Sequence, residues 1–93
     1  MDKKTFTVSN NGQLRDTAEN VLTIAQKARS GNKGNVYVGE SGVTVDDGWE
    51  LTPGEPTVDN YDDYEGGGSQ IMSAFYVAFA VAGDKLDVSV IIR

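Results

Sequence analysis

The sequence predicts an all-β fold, a small antiparallel β-sandwich or jelly-roll-like module, with residues 1–93 forming a single domain. Eleven glycines in 93 residues separate short apolar runs at intervals of about ten residues, a spacing typical of strands joined by turns. Several of these runs are rich in β-branched residues, which favour strands. The C-terminal third alternates between two sets of side chains, as a pleated strand does. A chain of this length fits one domain with a thin core.

The N-terminal part contains one clear strand and one segment that fits two structures. Residues 5–8 predict the first strand. Residues 16–29 fit a helix, because Asp16 and Glu19 resemble a capping box and apolar residues recur on one helical face. The same segment fits a strand, because residues 21–24 form a cluster rich in β-branched side chains. Local evidence alone slightly favours the helix.

The middle of the chain predicts short strands separated by turns. Residues 52–55, Thr-Pro-Gly-Glu, fit a type II turn, because proline pre-sets φ at the second position and glycine takes positive φ at the third. Residues 46–48, Asp-Asp-Gly, predict another turn. A strand that begins at Pro56 would lie at a sheet edge, where proline is tolerated. The predicted short strands are residues 36–39, 43–45, 49–51 and 56–58.

Residues 59–70 predict an exposed acidic, glycine-rich loop. A glycine triplet and four carboxylates leave too little apolar surface for a core. A calcium site is one alternative, since calcium takes six to eight oxygen ligands. The order of acids and glycines does not match an EF-hand loop, so a solvated loop is the favoured interpretation and no metal site is predicted. The four acids are Asp59, Asp62, Asp63 and Glu65.

The C-terminal part predicts a β-hairpin of residues 71–82 and 86–92, with Gly83-Asp84 as its two-residue turn. Both faces of the first strand are apolar, one with large side chains and one with small side chains. A half-solvated antiparallel strand has one polar face, so the second face must be covered. Residues 17–29 of the same chain and another subunit are equally good candidates for that cover.

The composition argues against an enzyme and against nucleic-acid binding. The chain has no cysteine and no histidine, which removes the thiolate nucleophile, the commonest general base and the commonest metal ligand. A net charge of −6 repels phosphate and anionic membranes. The N-terminus lacks the apolar run of a signal peptide, and residues 71–82 are too short for a membrane span. We therefore expect no catalytic residue, no cofactor, no nucleic acid and no membrane.

Aromatic residues near carboxylates suggest two different uses. Trp49, Tyr61, Tyr64 and Tyr76 would suit a sugar-stacking platform. Trp49 alternates with Leu51 toward one face, so a core or subunit-interface anchor is the favoured interpretation for the indole. The neighbours of Tyr61 and Tyr64 are polar, which makes these two tyrosines the better candidates for exposed contacts. Glycoside hydrolysis needs two carboxylates at a defined separation in a cleft, and a chain this short offers little cleft.

An extended motif lies in the middle of the chain, with Gly-Asn-Val-Tyr-Val-Gly-Glu-Ser-Gly-Val-Thr at 34–44 and Gly-Trp-Glu-Leu-Thr-Pro-Gly-Glu at 48–55. This motif resembles small structural proteins of tailed viruses, both bacteriophages and archaeal viruses. Less specific similarity extends over residues 17–92. The resemblance implies a β-sandwich or jelly-roll module in a capsid decoration, turret, head fibre or tail, and it favours a strand over residues 17–29. The acidic loop departs from the short connection of such proteins and, with the acidic composition, suggests a halophilic host.

The resemblance and the composition together predict a non-enzymatic virion structural protein, made in the host cytoplasm, that acts by oligomeric assembly. A homotrimer is the expected form, and other virion proteins, such as the major capsid protein, are the expected partners. The alternative is a receptor- or glycan-binding module on a viral tail or spike, with Tyr61 and Tyr64 as a contact loop. The residues predicted for the assembly interface are Trp49, Met72, Tyr76 and Phe79.

Overall fold

The computed structural model describes residues 2–61 and 70–93, which form two antiparallel β-sheets packed face to face, so the all-β prediction is confirmed. The larger sheet has the order β1 (Asp2–Val8), β9 (Leu86–Ile92), β3 (Asn20–Ala28) and β6 (Pro56–Asn60), and β7 (Gln70–Ile71) also pairs with β3. The smaller sheet has the order β2 (Gly12–Gln13), β8 (Tyr76–Phe79), β4 (Val36–Gly39) and β5 (Trp49–Leu51).

The strand pairs are nested within one another along the chain. The strand β1 pairs with β9, β2 with β8, β3 with β6, and β4 with β5. The first and last strands are therefore neighbours, and each further pair lies inside the previous one, as in a single long hairpin that has been rolled up. With β6 and β7 taken as two parts of one edge strand, this is the eight-stranded, double-sheet arrangement of a jelly roll.

Residues 16–29, which fit both a helix and a strand in the sequence, contain the strand β3, and the strand interpretation is confirmed. This strand is flanked on one side by β9 and on the other by β6 and β7. Its backbone groups are therefore paired on both sides, and this tertiary pairing overrides the local preference for a helix. A register shift between Val21 and Thr23 marks a bulge, and both Val21 and Leu22 are buried there.

The edge strand made of β6 and β7 is interrupted at one point. The Tyr61 N–H donates to the Leu22 carbonyl at 2.7 Å, and Gln70 pairs with Val21, the preceding residue of β3. Tyr61 and Gln70 thus occupy successive positions along the edge of β3. The predicted exposed loop 59–70 is wrong at its ends, because β6 extends to Asn60 and β7 begins at Gln70, and its residues 62–69 lie outside the described residues.

The predicted hairpin of residues 71–82 and 86–92 is wrong. A 3-10 turn at Met72–Ala74 interrupts its first strand, and β8 spans only Tyr76–Phe79 in the smaller sheet. The strand β9 belongs to the larger sheet, so the two strands lie on opposite sides of the core. The Asp84 N–H donates to the Val81 carbonyl at 3.3 Å and Gly83 has a φ of 92°. This turn carries the chain from one sheet to the other.

Most of the larger side chains of the C-terminal part are buried in the core between the two sheets. Val77 and Phe79 of β8 face inward, as do Leu86, Val88, Val90 and Ile92 of β9. On the opposite face of β8, Ala78 is buried and Tyr76 is half-buried. Residues 40–48 fold beside this outer face, because a Cβ added to Gly48 would lie 2.7 Å from Tyr37 Cβ. The same chain therefore supplies part of the cover, but not through residues 17–29.

Two turns of the middle segment show how local chemistry sets the chain direction. The Glu55 N–H donates to the Thr52 carbonyl at 2.8 Å and Gly54 has a φ of 88°, which confirms the type II turn. Residues 43–45 form no strand. The carboxylate of Asp47 accepts a hydrogen bond from the Thr44 N–H at 2.7 Å, which holds this segment in a turn.

An ion pair lies on the outer face of the larger sheet. Arg29 Nη2 donates to Asp87 Oδ1 at 2.6 Å, and Thr7 Oγ1 donates to the same oxygen at 2.9 Å. Both bonds favour the ionised carboxylate. The pKa of Asp87 is therefore lowered from its ordinary value, with the hydrogen bond from Arg29 as the largest cause.

Acid is expected to remove the stabilisation that this ion pair provides. Because the folded-state pKa of Asp87 lies below the unfolded-state value, the contribution is complete above the unfolded pKa and is lost as pH falls through the folded pKa. We expect Asp87→Asn to melt at a lower temperature than wild type at neutral pH, and at the same temperature once the carboxyl group is protonated. Thermal scans over a range of pH measure this, and a difference that persists unchanged in acid would contradict it.

Candidate functional site

The two long edges of the sandwich differ from each other. At the edge formed by β1 and β2, Phe6 and Val8 pack against the core and Leu14 is buried. The guanidinium of Arg15 covers the Phe6 ring, with its carbon 4.2 Å from the ring centroid. At the opposite edge, formed by β5 and β6, the two sheets enclose an open cleft. One edge is thus closed by side chains and the other is accessible.

The cleft is lined by positions that would form core in a closed sandwich. Trp49 of β5 stands opposite Val38 on the inner face of the smaller sheet, and Thr57 of β6 stands opposite Gln26 on the inner face of the larger sheet. Asp59 lies on the same inner side as Thr57, two residues along the strand. The volume of the cleft is about 600 Å³, which falls within the range of small-molecule sites.

Trp49 is the most prominent group in the cleft. Its position on the inner face follows from the alternation with Leu51, which is fully buried. Trp49 nevertheless remains 68% exposed, because its end of β5 borders the open space. The prediction of a core or interface anchor therefore gave the correct face, but the ring borders a cleft. It is the single tryptophan of the chain.

A second aromatic wall comes from the interrupted edge strand and the segment before β8. The Tyr61 ring is half-buried and packs at a tilt of 57° against Phe75, with ring centroids 6.0 Å apart. Tyr76 borders the cleft at the start of β8, but it alternates with the inward-facing Val77 and therefore belongs to the outer face. Of the residues predicted for an aromatic platform, the structure thus brings Trp49 and Tyr61 together at the cleft.

Gln26 is a buried polar residue on the inner face of β3. It lies between Ile24 and Ala28, is only 3% exposed, and borders the cleft. Among the described residues, its Oε1 atom has no hydrogen-bond partner. A buried acceptor left in this condition costs about 1–3 kcal/mol. Sequence reasoning missed this residue, although a polar side chain in register with apolar inner positions was a signal that could have found it.

The charges around the cleft have one sign. Glu40 and Asp59 contribute carboxylates, and the residues described as lining the cleft include no lysine or arginine. Neutral hydroxyl and amide side chains supply the remaining polar groups, so the cleft favours uncharged or cationic groups over anions. These neutral groups belong to Gln26, Ser41, Thr57, Gln70 and Ser73.

Two residues predicted for the assembly interface belong to the core of the domain. Met72 is fully buried and Phe79 is buried, and both are members of the main apolar cluster. The physical reason is the 3-10 turn at Met72–Ala74, which breaks the strand alternation and turns Met72 inward together with Phe75. We therefore remove Met72 and Phe79 from the interface. Tyr64, predicted as part of an exposed contact loop, lies outside the described residues.

Within residues 2–61 and 70–93, no three metal-ligating side chains come close enough together to hold an ion. The same residues include no helix that is long and apolar enough to cross a membrane. No family model, no curated protein and no solved structure matches the chain.

Proposed function

We propose that this protein is a non-enzymatic structural module of a tailed-virus particle, which assembles with further copies of itself through the outer face of the larger sheet. The motif at 34–55 and the absence of histidine and cysteine support this proposal. Jelly rolls are the architecture of many viral capsid domains, which supports it by analogy at the level of fold. The observation that carries it is the distribution of exposed apolar side chains.

These side chains concentrate on one face. The described residues expose five large apolar side chains, and three of them, Val58, Ile71 and Ile91, lie on the outer face of the larger sheet. Val58 is the most exposed of the three, at 63%. Apolar groups that a monomer leaves in water are stabilised when a neighbouring subunit covers them.

Polar side chains of the same face lie in the same rows as these apolar side chains. The strand registers place an uncharged row of side chains across four strands. In the adjacent row the opposite charges of Lys27 and Asp87 stand side by side on the two central strands and offset each other. Exposed apolar side chains among polar groups give a mixed surface, and non-obligate protein interfaces are about as apolar as the rest of a protein surface. The uncharged row consists of Thr5, Ser89, Ala25 and Val58.

A second copy of the chain is the partner that this face fits best. The domain is small, and its thin core gains stability from a neighbour. A stable interface needs about 800 Å² of surface from each partner, which the broad outer face of a sheet can provide. A trimer is the expected assembly, and on the particle the module would contact other virion proteins such as the major capsid protein.

The oligomeric state tests the assembly proposal. We expect wild type to form an oligomer at micromolar concentration in size-exclusion chromatography with light scattering. The double variant Val58→Lys/Ile91→Thr introduces residues that exposed strand positions tolerate, and it should elute as a monomer. Far-UV circular dichroism checks that this monomer is folded. Val45→Lys alters an exposed apolar residue in the 40–48 segment and should leave the oligomer intact. A wild type that is monomeric at these concentrations would overturn the proposal.

The location of the gene tests the viral part of the proposal separately. We expect genes for a capsid protein and a portal protein beside the gene for this chain, and we expect the purified domain to bind particles assembled from that capsid protein. A gene surrounded by cellular metabolic genes would contradict the viral assignment while leaving the assembly result unaffected.

A further inference from the structure

We propose that the cleft between β5 and β6 binds a neutral sugar, either a single residue or a short segment of an uncharged glycan. The cleft opens between the inner faces of the two sheets, whereas the proposed assembly surface is the outer face of the larger sheet. The two surfaces are therefore separate, and this inference does not depend on assembly.

The aromatic groups supply the first part of the argument. Trp49 offers a large, rigid apolar surface at the cleft, and Tyr61 with Phe75 supplies a second wall. A pyranose ring has an apolar face of C–H groups that matches such a surface. An exposed indole on the inner side of a sandwich is unfavourable in water, and stacking against a ligand would remove this cost.

The buried amide supplies the second part. Gln26 Oε1 is a hydrogen-bond acceptor with no partner among the described residues, in a side chain that borders the cleft. Buried polar groups are almost always satisfied in native proteins, so this atom requires a donor. The atom is almost fully screened from water, so the amide must turn toward the cleft before a sugar hydroxyl can donate to it. Such a bond would remove the unfavourable free energy of the unpaired acceptor.

The charge of the lining decides which sugars fit. Glu40 and Asp59 can accept hydrogen bonds from hydroxyl groups, but they repel sialic acids, sulfated sugars and sugar phosphates. A quaternary ammonium ion would suit the aromatic rings but has no N–H for the amide oxygen of Gln26. Hydroxyl and amide groups, such as those of Thr57 and Gln70, match a ligand with several hydroxyls better than one with a single charge.

Tryptophan fluorescence provides a direct test, because Trp49 is the single tryptophan and lies in the proposed site. We would titrate wild type with neutral oligosaccharides of glucose, galactose, mannose and N-acetylhexosamines, and in parallel with sialyllactose, heparin fragments, choline and butylamine. We expect a saturable change in emission with at least one neutral sugar and none with the anionic or amine compounds. Response to none of the neutral sugars, or stronger response to an anion or amine, would overturn the proposal.

Three variants measured by calorimetry separate binding from folding. Trp49→Ala should weaken binding about tenfold or more, as expected for a tryptophan at the centre of a contact. Gln26→Met removes the acceptor but keeps the shape, so binding should fall about three- to tenfold, while the denaturant midpoint should rise. Val45→Ala, outside the cleft, should bind like wild type. Unchanged binding in both cleft variants would contradict the site even if a sugar binds elsewhere.

Discussion

Asp84→Ala is expected to destabilise the fold by about 2–4 kcal/mol, because the buried carboxylate is the acceptor for two backbone groups. Its oxygens accept hydrogen bonds from the Lys33 N–H at 3.0 Å and from the Gly34 N–H at 2.8 Å. These bonds join residues 33–34 to the turn at residues 81–84. The two segments lie close together, since a Cβ added to Gly34 would lie 2.7 Å from Val81 Cγ2. Alanine would leave both donors without their acceptor in this tightly packed region.

Urea unfolding followed by circular dichroism measures this effect. Asp84→Asn retains one acceptor oxygen and should lose roughly half as much stability as the alanine variant. Asp46→Ala removes a carboxylate from an exposed turn and should change the free energy of unfolding by about 0.5 kcal/mol or less. Equal effects of Asp84→Ala and Asp46→Ala would show that the carboxylate of Asp84 does not hold the two segments together.

Met72→Ala is expected to lower the free energy of unfolding by about 2–5 kcal/mol, the range for a large side chain removed from a packed core. Met72 is fully buried and belongs to the main apolar cluster. Truncation would leave a cavity beneath the 3-10 turn at Met72–Ala74, where the surrounding backbone can collapse only in part.

The neighbouring residue provides a matched control for this variant. Ile71 lies on the outer face and is exposed, so Ile71→Ala should change the unfolding free energy of the monomer by about 1 kcal/mol or less. Urea unfolding at low protein concentration, where any oligomer dissociates, measures both variants. If Met72→Ala weakened only the oligomer and left the monomer as stable as wild type, the sequence-based assignment of Met72 to the interface would be restored.

Local patterns in the sequence were sufficient for several elements. The type II turn at 52–55 was predicted from Pro53 and Gly54 alone, because the required φ values are properties of these residues. The inward positions of β9 followed from the alternation of apolar and polar side chains. Such features depend on neighbours in the chain, and the structure retains them.

Features that depend on distant partners could not be predicted in the same way. A turn with glycine at Gly83 fits both a hairpin and a crossing between sheets, and only the pairing of β8 with β4 and of β9 with β1 decides between them. The helical pattern at 16–29 was overridden because β9 and β6 pair with both edges of β3. Nested pairing of a jelly roll is a property of the whole chain.

The candidate site also combines a feature that the local sequence predicts with features that depend on distant strands. Alternation placed Trp49 on the correct face, but its exposure depends on the gap between β5 and β6, which no local pattern reveals. The role of Gln26 depends on an unpaired oxygen that becomes visible only when the surrounding strands are in place.

The interruption between β6 and β7 has a consequence for variation among such modules. Tyr61 and Gln70 occupy successive places along β3, so the register of the edge strand is independent of the length of chain between them. An insertion between these two positions is therefore expected to leave the pairing of β3 with β6 and with β7 in the same register.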